Sequence, residues 1–219
     1  MSSGSGTSAT GFARVGPVHF QPLEMELRPA SKYFSGRVLN AGCGSRDISS
    51  ILKGFGAAEI INYDIESEIP GAIIGSLEDI PFDDNSFDSI FCNAVLEHVP
   101  NVHIVMGELG RVLKPGGHLV AGVPFLQPMH LNPTDFRRYT RDGLSELGVL
   151  HGLKTIDVLP VHSMAQTIGW IAWEWAQEKK STILMGAIYG LVWLWTRMSY
   201  KTDMSITKNA NTFQIIYSK

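Results

Sequence analysis

What most constrains this chain is an alternation of short apolar runs with amphipathic segments, each punctuated by glycine, proline or an acid. Residues Arg37 to Ala41 (RVLNA) form a short apolar run that ends in glycines, as a buried strand would. Asp47 to Phe55 places Ile48, Ile51, Leu52 and Phe55 at helical spacing, with Asp47 as the expected cap. Strands are predicted over 59–63, 72–74, 86–93, 118–123, 153–161 and 212–217. Helices are predicted over 102–113 and 141–150. Lys114-Pro115-Gly116-Gly117 closes the first of these helices as a turn, and Pro124 stops the strand that follows. Strands alternating with helices predict an α/β sheet covered by helices on both faces. No internal repeat is present, and His162 to Asn211 forms a long insertion before the last strand.

The chain has 219 residues, enough for one domain with an elaboration. The expected division is a flexible Ser/Gly/Thr-rich tail over 1–14 and a single domain over 15–219, with 162–211 as its helical insertion. Charged residues make up 18% of the chain and apolar ones 44%, which excludes a disordered chain. The formal charge is −3 without a basic block, so a nucleic-acid partner is not expected. The two cysteines, Cys43 and Cys92, make no disulfide framework. No CxxC or paired-histidine spacing suggests a metal. A reducing, cytoplasmic setting without a signal peptide is expected. The most apolar stretch, Thr182 to Trp195, is shorter than the roughly 20 residues that a membrane span needs.

Three features sit at predicted strand ends: the turn Gly42-Cys43-Gly44, Asp64 and Asn93. In open α/β sheets, ligands bind beyond the carboxyl ends of the strands. The dinucleotide pattern GxGxxG fails, because Asp47 occupies the third glycine position. An acid there would repel a pyrophosphate, which disfavours NAD. Asp64 follows Gly44 by 20 residues, the spacing at which an acid ends the second strand and accepts ribose hydroxyls.

The segments LNAGCGSRD, Asp64, GSLEDIPFDDNSFDSIFCNAVLEHVPN and LKPGGHLV together resemble the class I S-adenosylmethionine-dependent methyltransferases, in the branch that includes the quinone-biosynthesis C-methyltransferases. The resemblance runs from about Gly36 to Val123. It implies a Rossmann-like seven-stranded sheet with an antiparallel last strand, and S-adenosylmethionine as cofactor. Carried over by position, Gly42, Cys43 and Gly44 form the turn under the methionine part. Asn40 stands where the family usually has an acid near the cofactor's amino group. Asp64 matches the ribose-binding acid and Ile65 the apolar residue against adenine. Ser76 stands where an Asp often accepts from the adenine amino group; Leu77 offers its backbone N–H, and Glu78 is a substitute acid. Asn93 matches the residue beside the departing methyl group.

A sulfonium methyl is already an activated electrophile, so the protein has mainly to align the acceptor and exclude water. A base is needed only for a protonated acceptor. Candidates for catalytic work are His98, just after the fourth strand, and His130 and Tyr139 in PMHLNPTDFRRYT (128–140). This segment resembles an HxxPxDxxRYT signature of some bacterial methyltransferases. It reads either as a substrate-facing lid across the cleft or as a packed loop with an Asp135–Arg138 pair and Pro133 setting a helix start. The other histidines (His19, His103, His118, His151, His162) read as structural or solvated. A helical segment around Pro22 to Phe34 is expected to close over the cofactor.

In the insertion, Met164, Ile168, Ile171 and Trp175 make one helical stripe, and Gln166, Trp170 and Glu174 mark the other side. Ser181 to Met198 is more uniformly apolar. These helices are read as packing on the sheet, capping an apolar substrate, or contacting a second copy or a membrane surface. The expected activity is methyl transfer to a small-molecule, lipid-linked or glycan-type acceptor, by a monomer or homodimer. The rivals are a methyltransferase acting on RNA or protein and a non-catalytic chain of the same fold.

Overall fold

The computed structural model describes residues 14–131, 134–199 and 209–219. The expected tail over 1–14 lies almost wholly outside the described residues, and Pro133 also lies outside them. A two-stranded ribbon, β1 (Arg14–Val15) and β2 (Val18–His19), precedes a short helix α1 (Leu23–Leu27) and a 3-10 turn over Arg28–Tyr33. Then come β3 (Gly36–Ala41), α2 (Ser49–Phe55), β4 (Ala57–Asp64), β5 (Ile73–Ile74), β6 (Phe87–Asn93), α3 (Val102–Val112), β7 (Leu113–Pro124), α4 (Arg141–Leu150) and β8 (Lys154–Val161). The insertion supplies α5 (Met164–Glu178) and α6 (Thr182–Ser199) before the last strand, β9 (Thr212–Ser218).

Seven strands form one sheet in the order β5-β4-β3-β6-β7-β9-β8, with β9 antiparallel to both neighbours and the other pairings parallel. Burial on both faces explains the continuous apolar runs. Leu39, Ile90, Cys92, Leu119, Ala121, Ile215 and Tyr217 point to the face covered by α3 and α4. Their neighbours Val38, Phe91, Val120 and Ile216 point to the face covered by α1, the 3-10 turn and α2. This two-residue alternation places the core on both sides of the sheet.

Two local expectations are corrected. Helix α2 starts at Ser49 with Ile48 at its N-cap, so Asp47 is not the cap. Its Oδ1 instead accepts the Ser49 N–H at 2.9 Å, closing a turn before the helix. Lys114 to Gly117 does not separate α3 from the next strand. Strand β7 runs through it, and the pairing jumps from Phe87↔Leu113 to Ser89↔His118, so these residues bulge out of the ladder. The strand stops at Pro124, its last residue, as expected.

The insertion helices form at the expected places, but α5 turns its expected apolar stripe outward. Ala165, Gln166, Thr167, Gly169 and Ala176 are its buried residues, whereas Ile168, Ile171 and Trp175 are exposed. Small residues let the neighbours come close: a Cβ on Gly169 would lie 2.8 Å from Val192 Cγ1 of α6. Gln166 is buried because it is fully used. It closes a capping box with Ser163 and donates to the His19 carbonyl at 2.6 Å. Helix α6 rests on the body through Val192 and Thr196 and leaves Ile183, Leu191 and Leu194 exposed. No described helix is long and apolar enough to cross a membrane.

Candidate active site

The carboxyl ends of β4, β3 and β6 lie side by side, and each presents one of the residues expected there. Gly42 and Gly44 take positive φ, at 72° and 56°, which lets the chain turn sharply after β3. A Cβ on Gly42 would collide with Val95, whereas one on Gly44 would meet nothing within 4 Å. The turn is therefore packed behind and open in front. Asp64 spans it: Oδ2 accepts the Gly44 N–H at 2.7 Å, and Oδ1 accepts the Glu66 N–H at 3.2 Å. Each carboxylate oxygen keeps a lone pair for a further donor.

A cleft of about 550 Å³ opens here. Its lining includes Gly44, Asp64, Ile65, Leu77, Asn93 and His98. This volume falls in the usual range for ligand pockets. Ile65 is 67% exposed at the rim, an apolar surface mostly free of protein contact. Ser76 Oγ accepts the Glu78 N–H at 3.1 Å, and the Ser76 carbonyl accepts from the buried Tyr63 hydroxyl at 2.9 Å. The Glu78 carboxylate accepts from Asn101 Nδ2 at 3.1 and 3.2 Å. Glu108 and Arg111 of α3 hold the loop that follows: Glu108 Oε2 accepts the Ile80 N–H at 2.8 Å, and Arg111 donates to the carbonyls of Ile80 and Phe82. Arg111 beside Glu108 holds that carboxyl below its ordinary range.

A second cavity of about 300 Å³ lies on the other side of the glycine turn. It is lined by Phe20, Glu26, Asn40, Gln127, His162 and Trp170 among others. Gly42, Cys43, Arg46 and Asn93 border both spaces, so Asn93 stands at their junction. Asn40 donates to Asn62 Oδ1 on the neighbouring strand at 2.8 Å, which fixes its amide and leaves its own oxygen to accept. The sulfur of Cys43 contacts Ser67 Oγ at 3.5 Å, and burial pushes its thiol upward, so it is a poor nucleophile. Helix α1 borders this second cavity through Leu23 and Glu26, not the open cleft.

Two features here were missed in the sequence. Arg46 Nε is buried with no hydrogen-bond partner among the described residues; its place within a glycine turn was the available signal. His162, expected to be structural or solvated, holds φ at 67° and brings Nε2 within 2.7 Å of Glu26 Oε1. No sequence spacing connects those two residues.

The three expected catalytic residues do not share one cavity, although the rings of His98 and His130 meet edge to face at 5.0 Å between centroids. His98 lines the open cleft, and its Nδ1 lies 2.5 Å from the Thr134 carbonyl. His130 and Tyr139 line neither cavity. The described residues from 134 to 139 are bound to the wall of the cleft, and none of them lines it. Phe136 N–H donates to the Glu97 carbonyl at 2.8 Å, and Arg137 donates to the carbonyls of Leu96, Val99 and Pro100. Asp135 and Arg138 do form the expected pair, which lowers the Asp135 carboxyl to about 2. Tyr139 packs against the core. Glu97 beneath this segment is fully buried, and burial raises its carboxyl to about 7.

Comparison with known proteins agrees with this geometry. Residues 39–121 match the family model described as a methyltransferase domain. The chain is 28% identical over 137 residues to a ubiquinone biosynthesis O-methyltransferase of Xanthomonas axonopodis, covering 56% of this chain and 53% of that protein. It is also 28% identical over 115 residues to a sterol 24-C-methyltransferase of Schizosaccharomyces pombe, covering 45% of this chain and 29% of that protein. The chain thus spans about half or less of the length of these relatives. Among solved structures, an S-adenosylmethionine-dependent methyltransferase from Archaeoglobus fulgidus superposes with a TM-score of 0.61 at 16% identity, over 90% of this chain and 93% of that one. The [4+2]-cyclase SpnF superposes with a TM-score of 0.62 at 18% identity, over 95% and 85%; this fold can therefore carry other chemistry. Residues 39–121 are thus similar to a methyltransferase domain, and the sheet has the fold of the S-adenosylmethionine-dependent methyltransferase it superposes on.

Proposed function

We propose that the protein transfers a methyl group from S-adenosylmethionine to an apolar small-molecule or lipid-linked acceptor held in the second cavity. The observation that carries this reading is the junction at Asn93, where a cleft with cofactor-binding groups meets a separate cavity with aromatic walls.

The residues present fit the cofactor. Asp64 has spare lone pairs for two ribose hydroxyls. Gly44 leaves open the space that a side chain would fill. Arg46, with no acid beside it among the described ion pairs, suits the methionine carboxylate. Asn40 and the turn Gly42-Cys43-Gly44 flank the methionine end, and Ile65, Ser76, Leu77 and Glu78 flank the adenine. When bound, S-adenosylmethionine supplies a methyl group on a sulfonium, already activated for displacement.

The remaining work is the chain's own. Phe20 and Trp170 pack against each other at 5.6 Å between ring centroids and exclude water from the acceptor side. Glu26, held by His162, is the group in that cavity able to take a proton from a hydroxyl or carbon acid. His98 borders the cleft as a positioning residue. The apolar residues that α5 and α6 leave exposed, Ile171, Trp175 and Leu191 among them, favour an acceptor with a lipid part. The net charge of −3 does not favour an RNA acceptor.

The test is transfer from methyl-labelled S-adenosylmethionine to two sets of acceptors, hydroxylated lipid-linked compounds and their water-soluble head groups. Label incorporated into the lipid-linked set, and reduced strongly by Glu26→Gln, supports the reading. Incorporation only into RNA or protein overturns it.

A further inference from the structure

The group least accounted for by methyl transfer is Glu97. Its side chain is completely buried, yet neither carboxylate oxygen has a hydrogen-bond partner. A buried, unpartnered carboxylate is costly, and native proteins keep one where something else satisfies it.

Two histidine nitrogens face it. His98 Nε2 lies 3.7 Å and His130 Nε2 3.8 Å from Glu97 Oε1. The protons of both rings are committed elsewhere. His98 Nδ1 is 2.5 Å from the Thr134 carbonyl, which can only accept, so Nδ1 carries the hydrogen. His130 Nδ1 faces two further acceptors, the Pro128 carbonyl at 3.4 Å and Asp135 Oδ2 at 3.8 Å. Arg138 Nη2 is also 3.5 Å away, but it is occupied by Asp135 and by the Pro128 carbonyl. Each neutral ring therefore turns an Nε2 lone pair toward the carboxylate. With the Glu97 carboxyl ionised, three acceptors converge on one point with no donor among them.

We propose that Glu97, His98 and His130 bind one divalent d-block cation of the zinc class. Two imidazole nitrogens with one carboxylate favour zinc or iron(II) over magnesium. One ligand atom from each residue lies within 4.8 Å of the others. Tetrahedral zinc with bonds of roughly 2.0–2.1 Å needs ligand atoms about 3.3–3.4 Å apart, so the observed 3.7 and 3.8 Å must close by a few tenths of an ångström. The outer partners are those that metal-bound histidines use: a backbone carbonyl on His98, and a carbonyl and carboxylate on His130. Glu97 and Asp135 are offset only by Arg138, leaving a net negative site for the cation. His130, partly exposed, gives it a way in. The cation would tie the 128–140 segment to the cleft wall that carries His98. This assignment stands apart from the choice of methyl acceptor.

The test is zinc titration of the full chain after chelator treatment, with cobalt(II) as a visible probe. The expected result is one equivalent bound, a cobalt spectrum of low-coordinate nitrogen and oxygen ligands, and no comparable magnesium binding. Glu97→Gln and His130→Ala are expected to abolish it. Asp135→Asn should weaken it roughly 10–100-fold, as loss of an outer partner does. His103 and His151, whose rings approach to 3.1 Å, form a competing pair, so His103→Ala/His151→Ala must retain the zinc. If Glu97→Gln fails to fold, judged by circular dichroism, His130→Gln on the partly exposed ring takes its place. No zinc uptake by folded wild-type protein overturns the proposal. So does uptake that survives both Glu97→Gln and His130→Ala, or uptake that disappears in the His103/His151 variant.

Discussion

Asp64 Oδ2 accepts the backbone N–H of Gly44 at 2.7 Å, so the acid that ends β4 is tied to the glycine turn that ends β3. One contact sets both the direction of the carboxylate and the shape of the turn. In the proposed cofactor site it also ties local backbone geometry to the acid offered to the ribose.

The two glycines of that turn are expected to respond differently to alanine. Gly42→Ala forces a Cβ into Val95 at a φ of 72°. It should destabilise the protein by about 1–3 kcal/mol through overpacking, with strain from the left-handed backbone added. Gly44→Ala meets no protein atom within 4 Å, so its cost is the left-handed strain alone, about 1–2 kcal/mol. Its methyl group points into the cleft and should weaken S-adenosylhomocysteine binding more than tenfold. Denaturant melts and binding titrations of both variants check this. A Gly44→Ala protein with unchanged binding would contradict it.

Glu108 secures the loop after Glu78 through Ile80 and Arg111, and its carboxyl sits below its ordinary value. A depressed acid contributes stability that is present above its unfolded pKa and lost as pH falls through its folded one. Wild-type protein should therefore lose this contribution in the acid range below about pH 4.5. Glu108→Gln should be less stable at neutral pH by roughly 1–3 kcal/mol, the cost of weakening charged hydrogen bonds. Its stability should also fall less steeply with acid. Urea unfolding at several pH values measures both effects.

The outward face of the insertion predicts a contrast on α6. Ile183 and Leu191 are 85% and 70% exposed, so Ile183→Ser and Leu191→Ser should each change stability by no more than about 0.5 kcal/mol. Val192, buried against Gly169, should cost about 1–2 kcal/mol or more as Val192→Ala. Equal costs at all three sites would mean that α6 packs by another face.

The sheet is legible in the sequence because its strands are buried on both faces and end in glycine, acid or amide. Asp64 and Asn93 stand out for the same reason: each terminates an apolar run. The face of α5 is not legible. Periodicity marks Met164, Ile168, Ile171 and Trp175 as a stripe, but cannot say which surface the helix rests on. Small residues and the saturated Gln166 decided that. Pairings such as Glu26 with His162 and Glu97 with His130 bring together residues that no local spacing joins. They emerge only when helix α1, the β6–α3 loop and the 128–140 segment are placed in space.

The most direct test of the cofactor assignment is calorimetric titration of the folded protein with S-adenosylmethionine and S-adenosylhomocysteine, beside Asp64→Ala. The account predicts one site of roughly micromolar affinity. Losing two hydrogen bonds to a charged acceptor, at about 1.5–3 kcal/mol each, should weaken it at least 100-fold in the variant. Absence of binding by folded wild-type protein, or equal binding by Asp64→Ala, would contradict it.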